Sequence, residues 1–161
     1  MKIGVVLSLG AIAALLLPGA RLRAQEQWSG SGSAASIPSA ALIQPDQLNR
    51  LLHAQGAEKP MVLQVGSRIM YAEAHIPAAE YAGPASQPDG LKRLRDRVAP
   101  LHRKTPIVIY CGCCPWDRCP NIAPAYRLLH DMGFSRLSVL YLADNFGTDW
   151  VSKGFPVEQG Q

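Results

Sequence analysis

Residues 107–121 read Ile-Val-Ile-Tyr-Cys-Gly-Cys-Cys-Pro-Trp-Asp-Arg-Cys-Pro-Asn, and this stretch decides the fold of the chain. The β-branched and aromatic residues of segment 105–110 predict a short buried parallel strand that ends at Cys111. From Asn121 onward, apolar residues recur at helical spacing until Gly133, which predicts a helix. A strand, a cysteine loop and a helix in this order are typical of an α/β sheet.

The predicted order places the cysteine loop at a functional edge of such a sheet. In open α/β sheets the strands end and the helices begin at one edge, where ligands bind. The helix N-terminus offers a partial positive charge and free backbone N–H groups, which favour a thiolate, a persulfide or a bound oxyanion. The loop is therefore predicted to carry sulfur chemistry.

All four cysteines of the chain lie in this loop, at positions 111, 113, 114 and 119. A disulfide between any two of them closes only a small ring, and such a bridge stabilises a fold weakly. Clustered cysteines more often act as nucleophiles, redox pairs or metal ligands. The spacing therefore predicts a chemical role for the cysteines.

Similar patterns predict further elements on both sides of this loop. The other predicted strands are 61–65, a brief one around Glu80 and Tyr81, and 137–142. The other predicted helical segments are 45–56, 68–74, 91–101 and 144–153. Alternating strands and helices predict one α/β domain, with a central parallel sheet that helices flank on both faces.

The N-terminal part of the chain is predicted to lie outside this domain. Segment 1–24 has a basic start, an apolar run and small residues at its end, as in a secretory signal peptide. Segment 25–39 is rich in small and polar residues and is predicted to be a flexible linker before a domain at 40–158. We therefore expect a periplasmic or secreted protein without stable membrane insertion after cleavage, the alternative being an uncleaved membrane anchor.

The formal net charge of +4 does not indicate a nucleic-acid partner. Three of the 16 basic residues, Lys2, Arg21 and Arg23, belong to segment 1–24, which leaves 13 basic against 12 acidic residues in the rest. The chain after this segment is thus nearly neutral, and no nucleic-acid partner is expected.

Four pieces of the sequence carry a family resemblance. They are the strand Val62-Leu63-Gln64-Val65; Tyr71 followed by Ala74-His75-Ile76-Pro77-Ala78-Ala79; the strand Ile107-Val108-Ile109-Tyr110 leading into Cys111; and the closing Trp150, Gly154, Phe155, Pro156 and Val157. In order and spacing they resemble the rhodanese domain, the sulfurtransferase module, over about residues 40–158. The second piece is similar to the family's Tyr-x-x-Gly-His-Ile-Pro-Gly-Ala signature. The resemblance implies a rhodanese-like α/β fold.

The resemblance also implies a sulfurtransferase reaction through a cysteine persulfide. Cys111 would take sulfane sulfur from a small sulfur-containing anion such as thiosulfate and pass it to a thiol or cyanide-like acceptor, with no cofactor. The substrate-binding candidates are Gly112, whose loop backbone would cradle the persulfide, Trp116, which covers the loop, and Arg118, which would bind an anionic donor.

Two registers of the family pattern fit the loop. Cys111 follows the strand directly, which favours it as the nucleophile, whereas Cys113 precedes Arg118 by the family's usual five residues and is the rival. The chain also has Gln64 where the family usually carries Asp, and Gly66 where it often carries Arg.

The extra cysteines allow three interpretations. Cys114 stands at C-x-x-C spacing from Cys111 and would resolve a persulfide or mixed disulfide as part of a redox couple that also involves Cys113. Alternatively, Cys114 and Cys119 would form a small structural disulfide. Finally, all four thiolates would bind a soft ion such as Cu(I) or Zn(II). The primary expectation is that the loop binds no metal.

Overall fold

The computed structural model describes residues 34–160 of the chain. The strands are β1 (Leu42–Ile43), β2 (Met61–Gln64), β3 (Glu80–Tyr81), β4 (Ile107–Tyr110) and β5 (Leu137–Leu140). They form one parallel sheet in the order β1-β5-β4-β2-β3. The strand that precedes the cysteine loop, β4, is therefore central in the sheet.

Five α-helices and four short 3-10 helices complete the described part of the chain. The α-helices are α1 (Pro45–His53), α2 (Arg68–Glu73), α3 (Pro88–Val98), α4 (Ile122–Asp131) and α5 (Phe146–Asp149). The 3-10 helices are Ala34–Ser36, Ser39–Ala41, Trp116–Arg118 and Val151–Lys153. The predicted α/β architecture is confirmed.

Both faces of the sheet are covered, and β4 shows this best. Ile107 and Ile109 pack with residues of α3 and α4 on one face, while Val108 and Tyr110 pack with residues of α1 and α5 on the other. Each such side chain contributes about 1.5–3 kcal/mol when it is fully buried. A strand buried on both faces has no polar alternation, which explains the continuous apolar run in the sequence.

The packed domain begins earlier than the predicted boundary at residue 40. Ala34 is fully buried, and Ile37 retains only 7% of its exposure. Both belong to the same core as β4 and α4. The prediction of a flexible linker is therefore wrong for residues 34–37, because the apolar side chain of Ile37 packs into the core.

The predicted last helix, 144–153, is interrupted at Trp150. Its backbone angles, φ −124° and ψ −61°, leave the helical region, so that α5 ends and the 3-10 helix Val151–Lys153 follows. The Trp150 side chain is fully buried, and its Nε1 donates a hydrogen bond to the carbonyl of Pro156 at 2.8 Å. Burial of this indole takes precedence over helix continuity.

The predicted signal peptide, 1–24, and most of the predicted linker lie outside the described residues. Within residues 34–160, no helix is long and apolar enough to cross a bilayer.

Candidate active site

The cysteine loop starts at the end of the central strand, as predicted. Cys111 follows β4 directly and is only 3% exposed. The chain then makes the 3-10 helix Trp116–Arg118 and enters α4 after Asn121. The loop is held at its middle by a hydrogen bond of 3.1 Å from the Trp116 backbone N–H to the Ala143 carbonyl.

Three of the four cysteine sulfurs converge. The Sγ atoms of Cys111, Cys113 and Cys119 all lie within 4.8 Å of one another. Cys111 Sγ is 3.2 Å from Cys113 Sγ, which in turn is 2.7 Å from the Sγ of Cys114. All four cysteines are free thiols in the structure. Cys113 therefore lies at the centre of the group and contacts Cys111 directly. The C-x-x-C spacing in the sequence had instead predicted Cys114 as the partner of Cys111.

Asn121 supports the Cys111 thiol and was not among the predicted site residues. Its Nδ2 donates a hydrogen bond of 3.2 Å to Cys111 Sγ, while its Oδ1 accepts one of 2.9 Å from the backbone N–H of Ser86. The second bond fixes the amide so that its N–H faces the sulfur. An asparagine directly before a predicted helix is typical of a capping residue, so no local pattern indicated a role at the Cys111 thiol.

Gln64, at the end of β2, holds the backbone on the other side of the thiol. This buried amide donates from Nε2 to the Cys111 carbonyl at 3.1 Å and accepts at Oε1 from the Gly66 N–H at 3.1 Å. The family position that usually carries Asp thus holds a polar support here as well. Because an amide both donates and accepts hydrogen bonds, Gln64 joins the backbone at Cys111 to the backbone at Gly66.

Gly66 and Gly112 leave room that the site requires. A Cβ at Gly66 would lie 2.8 Å from Cys111 Sγ, closer than any side chain tolerates. Gly112 has φ +85°, and a Cβ there would lie 2.8 Å from Phe146 Cβ. Its carbonyl accepts a hydrogen bond of 3.1 Å from the Phe146 N–H. Gly112 therefore shapes the loop.

The thiols of the loop differ in the direction in which their pKa values are shifted. Hydrogen bonds from Cys111 and then Cys119 hold the pKa of Cys113 well below the ordinary thiol range, although partial burial opposes this. The same hydrogen bond to Cys113 raises the pKa of Cys111, and the bond with Cys119 and burial raise it further. Burial raises the pKa of Cys114. Of these three thiols, Cys113 is therefore the one whose surroundings favour the thiolate.

Cys119 lies just before the N-terminus of α4 and is buried, with 6% of its surface exposed. A hydrogen bond with Cys111 and the backbone N–H groups of Asn121 and Ile122 lower its pKa, but the hydrogen bond with Cys113 and burial outweigh them, so that the pKa of Cys119 is raised. The predicted stabilisation of a thiolate by the helix N-terminus therefore does not prevail at Cys119, while the side chain of Asn121 donates to Cys111.

A cleft of about 210 Å³ opens beside Cys111 and Gly112. Most of its other walls are apolar and come from α2, α5 and the turn after α5. These walls include Met70, Ala74, Phe146 and Val151. Glu73 is the charged residue of the lining, and no lysine or arginine of the described chain borders the cleft. This environment suits an uncharged organic group better than a dianion.

The other two predicted substrate-binding residues lie away from this cleft. Arg118 is exposed and does not line it. Trp116 packs against Tyr141, with ring centroids 5.1 Å apart, and borders a smaller void behind the loop. The 3-10 helix Trp116–Arg118 places Arg118 on the outer surface, so a contact to an anionic donor stays a prediction.

His75 is a packed histidine, as its position in the signature indicated. It is 5% exposed, its ring stacks on Tyr71 with centroids 3.9 Å apart, and its Nδ1 lies 2.7 Å from the Tyr71 carbonyl oxygen. The Tyr71 hydroxyl donates to the Ala79 carbonyl at 2.6 Å. The Tyr…His-Ile-Pro signature thus supports the turn between α2 and β3.

The overall fold is similar to those of solved rhodanese-like domains. The Alr3790 protein from Anabaena sp. is 23% identical, covers 73% of this chain and 82% of its own, and superposes with a TM-score of 0.56. The solution structure of the rhodanese-like domain from the same protein is 22% identical, with coverages of 74% and 79% and a TM-score of 0.55.

A third similar structure is the single domain sulfurtransferase RDL2 from Saccharomyces cerevisiae. It is 16% identical, covers 70% of this chain and 89% of its own, and has a TM-score of 0.51. No family model matches the chain, and no curated protein matches it. The structural likenesses confirm the rhodanese-like fold that the sequence resemblance implied.

Proposed function

We propose that this protein is a sulfurtransferase that carries sulfane sulfur as a persulfide on Cys111. The observation that carries the proposal is the position of the Cys111 thiol. It ends the central strand, accepts the Asn121 amide N–H at 3.2 Å, and borders the cleft. The fold is shared with RDL2, which is described as a single domain sulfurtransferase.

Cys113 is the hydrogen-bonding neighbour of this thiol, with 3.2 Å between the two sulfurs. Because the pKa of Cys111 is raised and that of Cys113 is lowered, the proton of the pair stays on Cys111 until the donor is attacked, and it then leaves with the donor's thiolate. The hydrogen bond from Asn121 stabilises the negative charge that develops on the Cys111 sulfur, since the thiolate is the nucleophilic form of cysteine.

The transfer itself consists of two displacements. The Cys111 thiolate attacks the outer sulfur of the donor, a new S–S bond forms, and the donor's own S–S bond breaks to release its thiolate. An acceptor such as cyanide or a thiolate then attacks the outer sulfur of the persulfide and releases the Cys111 thiolate. Each step moves one sulfur atom and one electron pair, so no external oxidant is consumed.

The cleft favours an organic persulfide as the donor over thiosulfate. Its apolar walls would contact an uncharged carbon group, while Glu73 would repel a dianion. The acceptor is a thiophile that reaches Cys111 through the same cleft. This choice of donor replaces the one that Arg118 suggested, because Arg118 lies outside the cleft.

The test is cyanide-dependent release of thiocyanate by the full chain. Wild-type protein is charged either with an alkyl persulfide or with thiosulfate at equal concentration, and cyanide is then added. We expect a higher rate with the alkyl persulfide, and background release in Cys111→Ser with either donor. Equal release by Cys111→Ser and wild type would refute Cys111 as the carrier, and a faster rate with thiosulfate would refute the proposed donor class.

A thiol–disulfide couple of Cys111 and Cys113 is the second candidate, because their sulfurs are only 3.2 Å apart. In this case the protein would exchange disulfides with a partner thiol, and no sulfane sulfur would be gained. A measurable dithiol potential in wild type, lost in Cys113→Ala, together with no thiocyanate release, would favour this function over sulfur transfer.

We also propose that the protein is exported. The support is the sequence of segment 1–24, which has the pattern of a secretory signal peptide and lies outside the described residues. N-terminal sequencing of the protein recovered from the producing cell tests this proposal. A mature chain that begins after residue 24 is expected, and a cytoplasmic chain that keeps Met1 or Lys2 would contradict it.

A further inference from the structure

The three converging sulfurs have the spacing of a metal site. Cys111, Cys113 and Cys119 place their Sγ atoms within 4.8 Å of one another, and the closest pair is 3.2 Å apart. With a metal–sulfur bond of about 2.3 Å, the sulfurs of a planar three-coordinate site lie about 4.0 Å apart. Small rotamer changes therefore suffice to place all three sulfurs around one ion.

The ligands are positioned from two different elements. Cys111 directly follows β4, whereas Cys119 ends the 3-10 helix Trp116–Arg118, where its backbone N–H donates to the Trp116 carbonyl at 3.5 Å. The site therefore does not depend on one flexible peptide. The Asn121 side chain donates a hydrogen bond of 3.2 Å to Cys111 Sγ. Such outer hydrogen bonds orient metal ligands and offset the charge of several thiolates.

The chemistry of the donors selects the kind of ion. All ligand atoms of the group are sulfurs, and no histidine or carboxylate of residues 34–160 joins them. Soft thiolate ligands favour Cu(I) and Zn(II), and zinc normally takes four ligands. Cys111 and Cys119 are buried and border, with Cys114, a void of about 10 Å³ whose other walls include Ile122, Leu140 and Leu142. Cys114 does not belong to the group of sulfurs that lie within 4.8 Å of one another, so it does not supply the fourth ligand in this arrangement. These apolar walls oppose the water that zinc would need as a fourth ligand.

We propose that Cys111, Cys113 and Cys119 form a three-thiolate binding site for a soft monovalent cation, with Cu(I) as the ion. Binding forms three metal–sulfur bonds and releases the remaining thiol protons to solvent. The oxidation state of the metal does not change. Because Cys111 cannot bind the ion and carry a persulfide at the same time, the metal and sulfane sulfur are alternative occupants of the site.

The experiment is an anaerobic titration of the reduced, metal-free full chain with Cu(I), in competition with a chromophoric Cu(I) chelator. Native mass spectrometry counts the bound ions. We expect one Cu(I) per wild-type chain and an affinity that falls at least tenfold in Cys119→Ser and Cys113→Ser. Cys114→Ser is the matched control, because Cys114 lies outside the group of three and the serine hydroxyl keeps a hydrogen-bond donor beside Cys113 Sγ; its affinity should stay close to that of wild type.

Asn121→Ala provides a second test that removes no sulfur. Loss of an outer hydrogen bond typically weakens metal binding about 10- to 100-fold, and we expect a decrease in that range. Equal affinities of wild type and Cys119→Ser would overturn the proposal. Tighter binding of Zn(II) than of Cu(I), with loss of zinc in Cys114→Ser, would also overturn it, since a four-thiolate zinc site would then be present.

The same samples separate this inference from the proposed sulfur transfer. Metal-free wild type is incubated with an alkyl persulfide and its intact mass is recorded. Sulfur uptake without Cu(I) binding would refute the metal site and leave the sulfurtransferase proposal intact. Cu(I) binding without sulfur uptake would do the reverse.

Discussion

At the scale of single residues, the chemistry depends on which of two neighbouring thiols holds the negative charge. The sequence favoured Cys111 from its place after the strand and kept Cys113 as the rival. In the structure the two lie 3.2 Å apart, and the pKa of Cys113 is the lowered one. We therefore assign the roles separately, with Cys111 as the sulfur carrier and Cys113 as the hydrogen-bonded neighbour that ionises more readily.

The first prediction concerns the pH dependence of Cys113. Hydrogen bonds from Cys111 and Cys119 lower its pKa, so its thiolate persists as the pH falls below the ordinary thiol value of about 8.5. Alkylation of Cys113 by iodoacetamide should keep nearly the same rate from about pH 8 to about pH 6, where an ordinary thiol slows about tenfold per unit. Peptide mass mapping measures the rate at each pH.

Cys111→Ala is the control for this prediction. It removes the strongest hydrogen-bond donor to Cys113, so the ordinary pH dependence should return. A rate in wild type that falls about 100-fold over the same two pH units would contradict the assignment of the charge to Cys113.

The second prediction concerns Asn121→Asp. The substitution keeps an oxygen for the Ser86 N–H but replaces the N–H that faces Cys111 with a carboxylate oxygen. A hydrogen bond to a charged group contributes about 1.5–3 kcal/mol, so single-turnover sulfur uptake should slow about 10- to 100-fold. Stopped reactions analysed by mass give this rate. An uptake rate within twofold of wild type, at unchanged thermal stability, would rule out the role of Asn121.

At the scale of elements, the strand, the loop and the helix were predicted to different depths. Continuous apolar residues identified β4, and helical spacing identified α4, because both signals are local. The internal geometry of the loop was not predictable, since Asn121 is fixed by Ser86 and the Cys111 carbonyl by Gln64, 47 residues earlier in the chain. For the same reason, the sequence could not show that Arg118 lies outside the cleft.

The third prediction concerns the contact between Gly66, just after the end of β2, and Cys111 in the cysteine loop. In Gly66→Ala the new Cβ would meet Cys111 Sγ at 2.8 Å and the Cys111 carbonyl at 3.0 Å. We expect a loss of about 1–3 kcal/mol in the free energy of unfolding and a strongly reduced rate of sulfur uptake. Urea unfolding and thiocyanate release measure the two effects.

Ser67→Ala is the neighbouring control, because the Ser67 side chain makes no capping hydrogen bond to α2. It should leave both quantities close to wild type. Unchanged activity in Gly66→Ala would mean that the Cys111 thiol does not need the position seen here.

At the scale of the whole molecule, the alternation of strands and helices was sufficient to predict an α/β sheet, and the resemblance of four motifs to the rhodanese domain implied the particular fold. They did not reveal β1, since two residues that pair with β5 leave almost no periodic signal. The predicted start of the domain, residue 40, was also too late in the chain, since Ala34 and Ile37 are buried. Small residues around Ile37 gave segment 25–39 the composition of a linker, whereas burial of Ile37 is a tertiary property.

The fourth prediction tests this boundary with two chains, one starting at residue 34 and one at residue 40. Removal of buried Ala34 and Ile37 should cost about 2–3 kcal/mol and lower the melting temperature by about 5–10 °C. The chain that starts at residue 34 serves as the reference. Equal melting temperatures in differential scanning calorimetry would show that this segment does not belong to the domain.

The most direct measurement of the central claim is the intact mass of reduced, metal-free protein before and after an alkyl persulfide. Wild type should gain one sulfur, about 32 Da, as a covalent persulfide. The gain should be absent in Cys111→Ser and present in Cys113→Ala. A gain that persists in Cys111→Ser and disappears in Cys113→Ala would contradict the assignment and make Cys113 the sulfur carrier.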